Sequence, residues 1–261
     1  MREYKLDVDL ILIFSFTSLY KKKVSYPSHI DLSRPETLGL YATRNFYLSY
    51  SDTDENKVKI GVWQIIPNYI VKQFHRELKI RPKFARNLTI LSDNQTKLQH
   101  IILDDKFDLN NYRQKESFFE EIIRKSNDPI VIYFHGNTGT RANGHRVELY
   151  GQLRKMEYHI FAIDYRGFAD SSEQSPTEKG CVSDALAIYK YIKNLTKNPI
   201  YIYGHALGIF SLLFFLKKGN LIYIVVLRCS SSTGLSTESD GVLAVKPEHA
   251  VFVCCHIGCA L

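Results

Sequence analysis

Three short apolar runs constrain this chain more than anything else in it. They are Ile130–Phe134 (IVIYF), His159–Ile163 (HIFAI) and Ile200–Tyr203 (IYIY). Each lacks the polar alternation of a half-exposed strand, and such runs fit strands buried on both faces. Between them lie two stretches with helical spacing. His145–Glu157 repeats Val147, Tyr150, Leu153 and Met156 on one side. The second opens on Ser175-Pro176-Thr177-Glu178, read as a capping box with proline at the first helical position. It carries Val182, Ala185, Leu186, Tyr189 and Ile192 on one face. Strand, helix, strand, helix, strand predicts a mostly parallel sheet with flanking helices, an α/β fold.

The turns that end these strands narrow the prediction. The first strand runs into His135-Gly136-Asn137-Thr138-Gly139-Thr140, the second into Asp164-Tyr165-Arg166-Gly167, and the third into Gly204-His205-Ala206-Leu207-Gly208. An apolar stretch, Phe210–Leu216, follows the last. A G-x-S-x-G frame between a strand and a helix is the nucleophile elbow of the α/β-hydrolase fold. Its glycines are required because side chains there would collide with the neighbouring strand and helix. In this chain the central residue is Ala206, which has no nucleophilic atom. The turn at Gly136 fits the other half of such a site. Backbone N–H groups of Asn137 or Thr138, together with that of Leu207, are the candidate oxyanion donors. Ser171 and Ser172 are alternative nucleophiles by type, but no elbow presents them and Asp170 precedes them.

Outside this core the pattern is looser. Asn45–Tyr50 and Lys57–Ile66 read as a strand hairpin closed by Pro67. Residues 68–128 read as a polar insertion, with helical periodicity only at Ser117–Lys125. Leu221–Leu227 (LIYIVVL) predicts one more strand. The 34 residues after Leu227 hold only Glu238, Asp240 and Glu248 as acids, and His249 and His256 as histidines. Ser230–Gly241 reads as linker. The chain therefore divides into an N-terminal segment 1–27, a hairpin 28–67, the insertion 68–128, a core 129–227 and a tail 228–261. On this reading the fold is truncated after the strand that follows the elbow.

Composition limits the function classes. The net charge is +7 over 261 residues, and no quarter of the chain carries more than +3, which argues against a nucleic-acid partner. No run of 18 apolar residues occurs. Leu10–Tyr20 is the longest candidate, and its length predicts a buried element, with an interfacial segment pinned by Lys21, Lys22 and Lys23 as the alternative. All five cysteines lie at or beyond Cys181, so no disulfide framework is evident. Cys254, Cys255, His256 and Cys259 crowd too closely to surround one tetrahedral ion, and no metal is expected. Asn87, Asn94 and Asn194 each begin a glycosylation triplet.

YFHGNTGTRANGHRVELY (133–150), FAIDYRGFADSSEQSPTEKG (161–180) and NPIYIYGHALG (198–208) resemble the lysophosphatidylserine and monoacylglycerol lipases known as α/β-hydrolase domain-containing protein twelve. SHIDLSRPETLGL (28–40) and VKIGVWQIIP (58–67) resemble the segment that precedes the hydrolase core in that family. The resemblance implies an integral membrane serine hydrolase of the endoplasmic reticulum. Its catalytic domain would face the lumen and cleave the acyl ester of a lysophospholipid or monoacylglycerol, without a cofactor. It also implies a Ser…Asp…His triad. This chain departs from the pattern at Ala206 and in its tail, and the N-terminal segment is a shortened remnant of the family's membrane anchor. Two readings follow: a serine ester hydrolase that is inactive as written, or a non-catalytic paralogue that binds lipid or a protein partner.

Overall fold

The structure is a computed structural model that describes residues 30–52, 54–91, 100–103, 106–205, 208, 225–228, 242–244 and 252–254. A 3-10 turn at Pro35–Leu38 leads into β1 (Thr43–Ser51), which pairs antiparallel with β2 (Lys57–Ile65). Helices α1 (Asn68–Gln73), α2 (Pro82–Asn87) and α3 (Tyr112–Lys125) follow. Then come β3 (Ile130–Phe134), α4 (Gly144–Lys155), β4 (His159–Asp164), α5 (Glu178–Leu195), β5 (Ile200–His205) and β6 (Val225–Arg228). These six strands form one sheet in the order β1-β2-β4-β3-β5-β6. β2 runs antiparallel to β4, and β4, β3, β5 and β6 are mutually parallel. β7 (Val242–Ala244) and β8 (Phe252–Cys254) form a separate antiparallel ladder in the segment read as a tail.

Every residue of β3 and β4 is buried, as expected for inner strands with helices on both faces. One core cluster joins Ile60, Val62, Ile132, Phe161, Ile163, Ile188 and Ile192. A second, on the other face, gathers Trp63, Tyr133, Tyr150 and Ile160. The hairpin forms as expected, with β1 two residues longer at its start and one at its end than the apolar pattern marked, and β2 one residue shorter at its end.

The helices differ from their sequence reading in one consistent way: buried polar groups displace part of the apolar stripe. α4 turns Arg146, Tyr150 and Arg154 inward, while Met156 is exposed. In α5, Cys181, Asp184, Ala185, Ile188 and Ile192 are buried, whereas Val182, Leu186 and Tyr189 are only half-buried. The cause is Asp184. Its carboxylate accepts from the Arg166 backbone N–H at 2.9 Å and from Nε and Nη2 at 3.1 and 3.0 Å. The Tyr50 hydroxyl also donates to it. Holding that pair inside rotates the stripe by one position. The N-cap is Thr177, whose hydroxyl accepts from Gly180 N–H, so Ser175 is not the cap and Pro176 lies outside the helix. Gly167 is obligatory in the same loop. Its φ is +75°, and a Cβ there would lie 2.6 Å from Pro176 Cδ.

Residues 68–128 are more than a solvated excursion. Ile66, Tyr69, Ile70, Phe74, Phe118, Phe119 and Ile122 form a core of their own. Asn111 caps α3, and α3 docks through Arg44, whose guanidinium donates to Glu116 Oε1 at 2.8 Å and to Gln64 Oε1 at 3.1 Å. The periodicity was masked because the apolar residues of α1 and α2 sit in two short helices separated by charged turns. No helix among the described residues is long and apolar enough to cross a membrane.

Two measurements check this account. Asp184→Ala leaves the Arg166 guanidinium buried beside only Asp52 and Tyr50, and is expected to cost about 3 kcal/mol of unfolding free energy in a denaturant titration. Arg166 also donates to Asp52 Oδ2 at 2.8 Å and holds that carboxyl down to about 2. A carboxyl lowered in the folded state stabilises above its ordinary pKa, and that contribution is lost as pH falls from about 4 to about 2. Asp52→Asn should therefore flatten the fall in stability across that window.

Candidate functional site

The C-terminal ends of β3, β4 and β5 converge on one edge of the sheet. Phe134 pairs with Ile163 on one side and with Gly204 on the other, so the three turns that follow them are neighbours. The turn after β3 begins with buried His135 and Gly136, then rises to half-buried Asn137 and exposed Thr138. Its shape comes from α4. Arg146 donates through Nη1 to Thr140 O and through Nη2 to Thr138 O, both at 2.6 Å. Asn143 accepts from Thr140 N–H at 2.9 Å, and its side chain lies against Gly139. Gly139 has φ +69°, and a Cβ there would come within 2.2 Å of Asn143 Nδ2. Among the described residues, neither Asn137 N–H nor Thr138 N–H donates a hydrogen bond.

A buried ion network lies beneath this turn. Arg141 donates through its backbone N–H to Asp164 Oδ1 at 2.8 Å and through Nη1 to Asp164 Oδ2 at 2.5 Å. The same guanidinium reaches Asp170 Oδ1 and Oδ2 at 2.8 and 3.0 Å, and Asn45 Oδ1 at 2.9 Å. His135 Nε2 is 3.2 Å from Asp164 Oδ1, and both side chains are fully buried. Burial pushes the Asp164 carboxyl above the usual carboxylate range, against the pull of Arg141. Burial acts on Asp170 in the same sense, but hydrogen bonds from Arg141 hold it below that range. Gly61 of β2 makes room for the network. A Cβ there would meet Asp170 Oδ1 at 2.5 Å and Arg141 Nη1 at 2.6 Å. Sequence reading singled out none of Arg141, Asp164 or Gly61 as site residues. The available signal was an aspartate at the end of a fully apolar strand, which needs a buried cation.

The elbow is placed by Gly204 and Gly208. Gly204 closes the register of β5 against Phe134. A Cβ on Gly208 would lie 2.2 Å from Phe134 O and 2.8 Å from its carbonyl carbon. Gly208 therefore packs directly on the end of β3, at the start of the His135–Gly136 turn. His205 ends β5 opposite Arg228. Ala206 and Leu207, expected from the sequence as the nucleophile position and the second oxyanion donor, lie outside the described residues. Ser171 and Ser172 are brought near the edge but serve the backbone. Ser171 Oγ donates to Asp164 O at 2.7 Å and accepts from Gly61 N–H, and Ser172 Oγ accepts from Lys59 N–H. Asn87 ends α2 and Asn194 lies in the last turn of α5, both exposed; Asn94 lies outside the described residues. Among the described residues no cluster of His, Cys, Asp and Glu could hold a metal ion.

Residues 129–248 match the family described as the alpha/beta hydrolase fold. The chain carries an α/β-hydrolase domain. The match runs into the segment first read as lying outside the family. The chain is 38% identical to lysophosphatidylserine lipase ABHD12 of Xenopus tropicalis over 186 residues, 71% of this chain and 37% of that protein. It is 34% identical to the Danio rerio ABHD12 over 71% of this chain and 37% of that protein. It is also 27% identical to protein ABHD12B of Homo sapiens over 77% of this chain and 42% of that one. The chain thus spans little more than a third of the length of the ABHD12 relatives it matches.

Gly208→Ala is the sharpest test of the elbow geometry. The added methyl has to displace a strand carbonyl, which should cost about 1–3 kcal/mol in thermal or denaturant unfolding. A neutral effect would show that residue 208 does not pack on the end of β3.

Proposed function

We propose that this chain is the binding-competent but hydrolysis-incompetent counterpart of an ester hydrolase acting on single-chain acyl esters of the lysophosphatidylserine or monoacylglycerol kind. The observation that carries this reading is Ala206. Its frame, Gly204 to Gly208, follows β5 in register with Phe134, and Gly208 packs against the carbonyl that opens the oxyanion turn. The two N–H groups of Asn137 and Thr138 are open at the same edge. A methyl group at the centre of that frame has no lone pair to attack a carbonyl, so acyl transfer has no first step. What is left is a site shaped for an ester and lacking its nucleophile. Its setting is the lumenal side of the endoplasmic reticulum membrane, a reading supported by the relatives' lipid substrate and by the exposed triplet at Asn87.

The test is covalent and direct. The purified chain, treated with a fluorophosphonate probe, should remain unlabelled, and should release fatty acid from lysophosphatidylserine no faster than buffer. Stoichiometric labelling mapped to any serine would overturn the reading. When the chain is produced in eukaryotic membranes, endoglycosidase should increase its gel mobility, and Asn87→Gln should remove part of the shift. An unchanged mobility counts against the lumenal setting.

A further inference from the structure

A cavity of about 600 Å³ lies between the entry to β1, the connection from α1 to α2, and α3, away from the elbow. Thr43, on its wall, pairs with Ile65, which pairs with Ile160 near the start of β4. The catalytic edge lies at the other end of β4, at Asp164. Four residues of strand separate the two, about 13 Å at roughly 3.3 Å per residue. This cavity is therefore a separate site.

Its chemistry is amphiphilic. Leu78, Ile80, Phe84 and Phe119 supply apolar wall, with the Phe84 ring 49% exposed and 5.3 Å from that of Tyr41. Arg81 and Lys115 stand at the rim, exposed, and make no ion pair among the described residues. Of the two lining acids, Glu36 is already paired with Arg34. The cations belong to a larger excess: residues 68–91 hold six Lys and Arg against one acid, a concentration diluted when 68–128 is counted as a whole.

Ala42 and Lys79, both on the wall, hold left-handed backbone at φ +56° and +54°.

We propose that this cavity binds a single-chain amphiphile with an anionic head. The alkyl chain lies against Leu78, Ile80, Phe84 and Phe119, and the head faces the exposed Arg81 and Lys115. The volume is ordinary for a small-molecule site. The site does not depend on the reading of Ala206, and a chain without turnover allows binding to be measured on its own.

Titration calorimetry of the full chain with sodium laurate, below its micellar concentration, is the test. One laurate should bind per chain. Arg81→Glu combined with Lys115→Glu changes two exposed side chains and should weaken binding at least tenfold without moving the unfolding midpoint. Leu78→Trp fills the cavity and should do the same. Dodecyltrimethylammonium, with the same chain and opposite charge, should bind at least tenfold more weakly than laurate. A twelve-carbon lysophosphatidate arm separates the two sources of the head group. Whichever anion binds more tightly with the same sensitivity to the variants names the source and upholds the site. Absence of laurate binding, indifference to the charge-reversed pair, or equal affinity for the cationic amphiphile would each overturn it.

Discussion

The guanidinium of Arg141 holds the C-terminal edge of the sheet together. It is fully buried, and three elements meet on it: Asp164 at the end of β4, Asp170 in the following loop and Asn45 on β1. Its backbone N–H is spent on Asp164 as well, so the loop after β3 is tied at both main chain and side chain. A buried charge of this kind is tolerated only when opposite charge and hydrogen bonds surround it. The glycine at position 61 and the inward turn of Asp170 follow from that demand.

Arg166 with Asp184 repeats the same solution one loop further on, and Arg44 with Glu116 repeats it at the docking of α3. The helices of this domain are therefore registered on the sheet as much by buried arginines as by apolar stripes. This arrangement fixes orientation. An apolar stripe can slide by a residue at modest cost, whereas a guanidinium forked between two carboxylates has few satisfactory positions. The turn after β3 inherits that rigidity through Arg146, which donates to the carbonyls of Thr138 and Thr140.

The two ends of the sheet carry different chemistry. At the C-terminal edge, the turn after β3 and the close packing of Gly208 on Phe134 bring tight turns together. At the opposite end, unpaired cations and a half-exposed phenylalanine surround a cavity. Parallel strands make this division natural, because all their C-termini, and the loops that follow them, lie on one side. Whatever binds at the far end does so through α1 to α3, elements that the sheet itself does not require.

The amino-acid sequence by itself determined the inner strands, their parallel arrangement, the two glycine-bearing turns and the alanine at the centre of the Gly204–Gly208 motif. Each of these depends on local pattern: apolar runs of fixed length, turn chemistry and one residue at the centre of a short motif. It did not show which face each helix buries. Asp184 and Arg146 look like surface residues until their partners, Arg166 and the carbonyls of Thr138 and Thr140, are brought to them. Nor did it reveal the core within 68–128, since Tyr69 and Phe74 are more than forty residues from Phe118 in the chain and meet it only on folding. Only the tertiary structure decided these points, because a buried ion pair is defined by two residues that local sequence cannot connect.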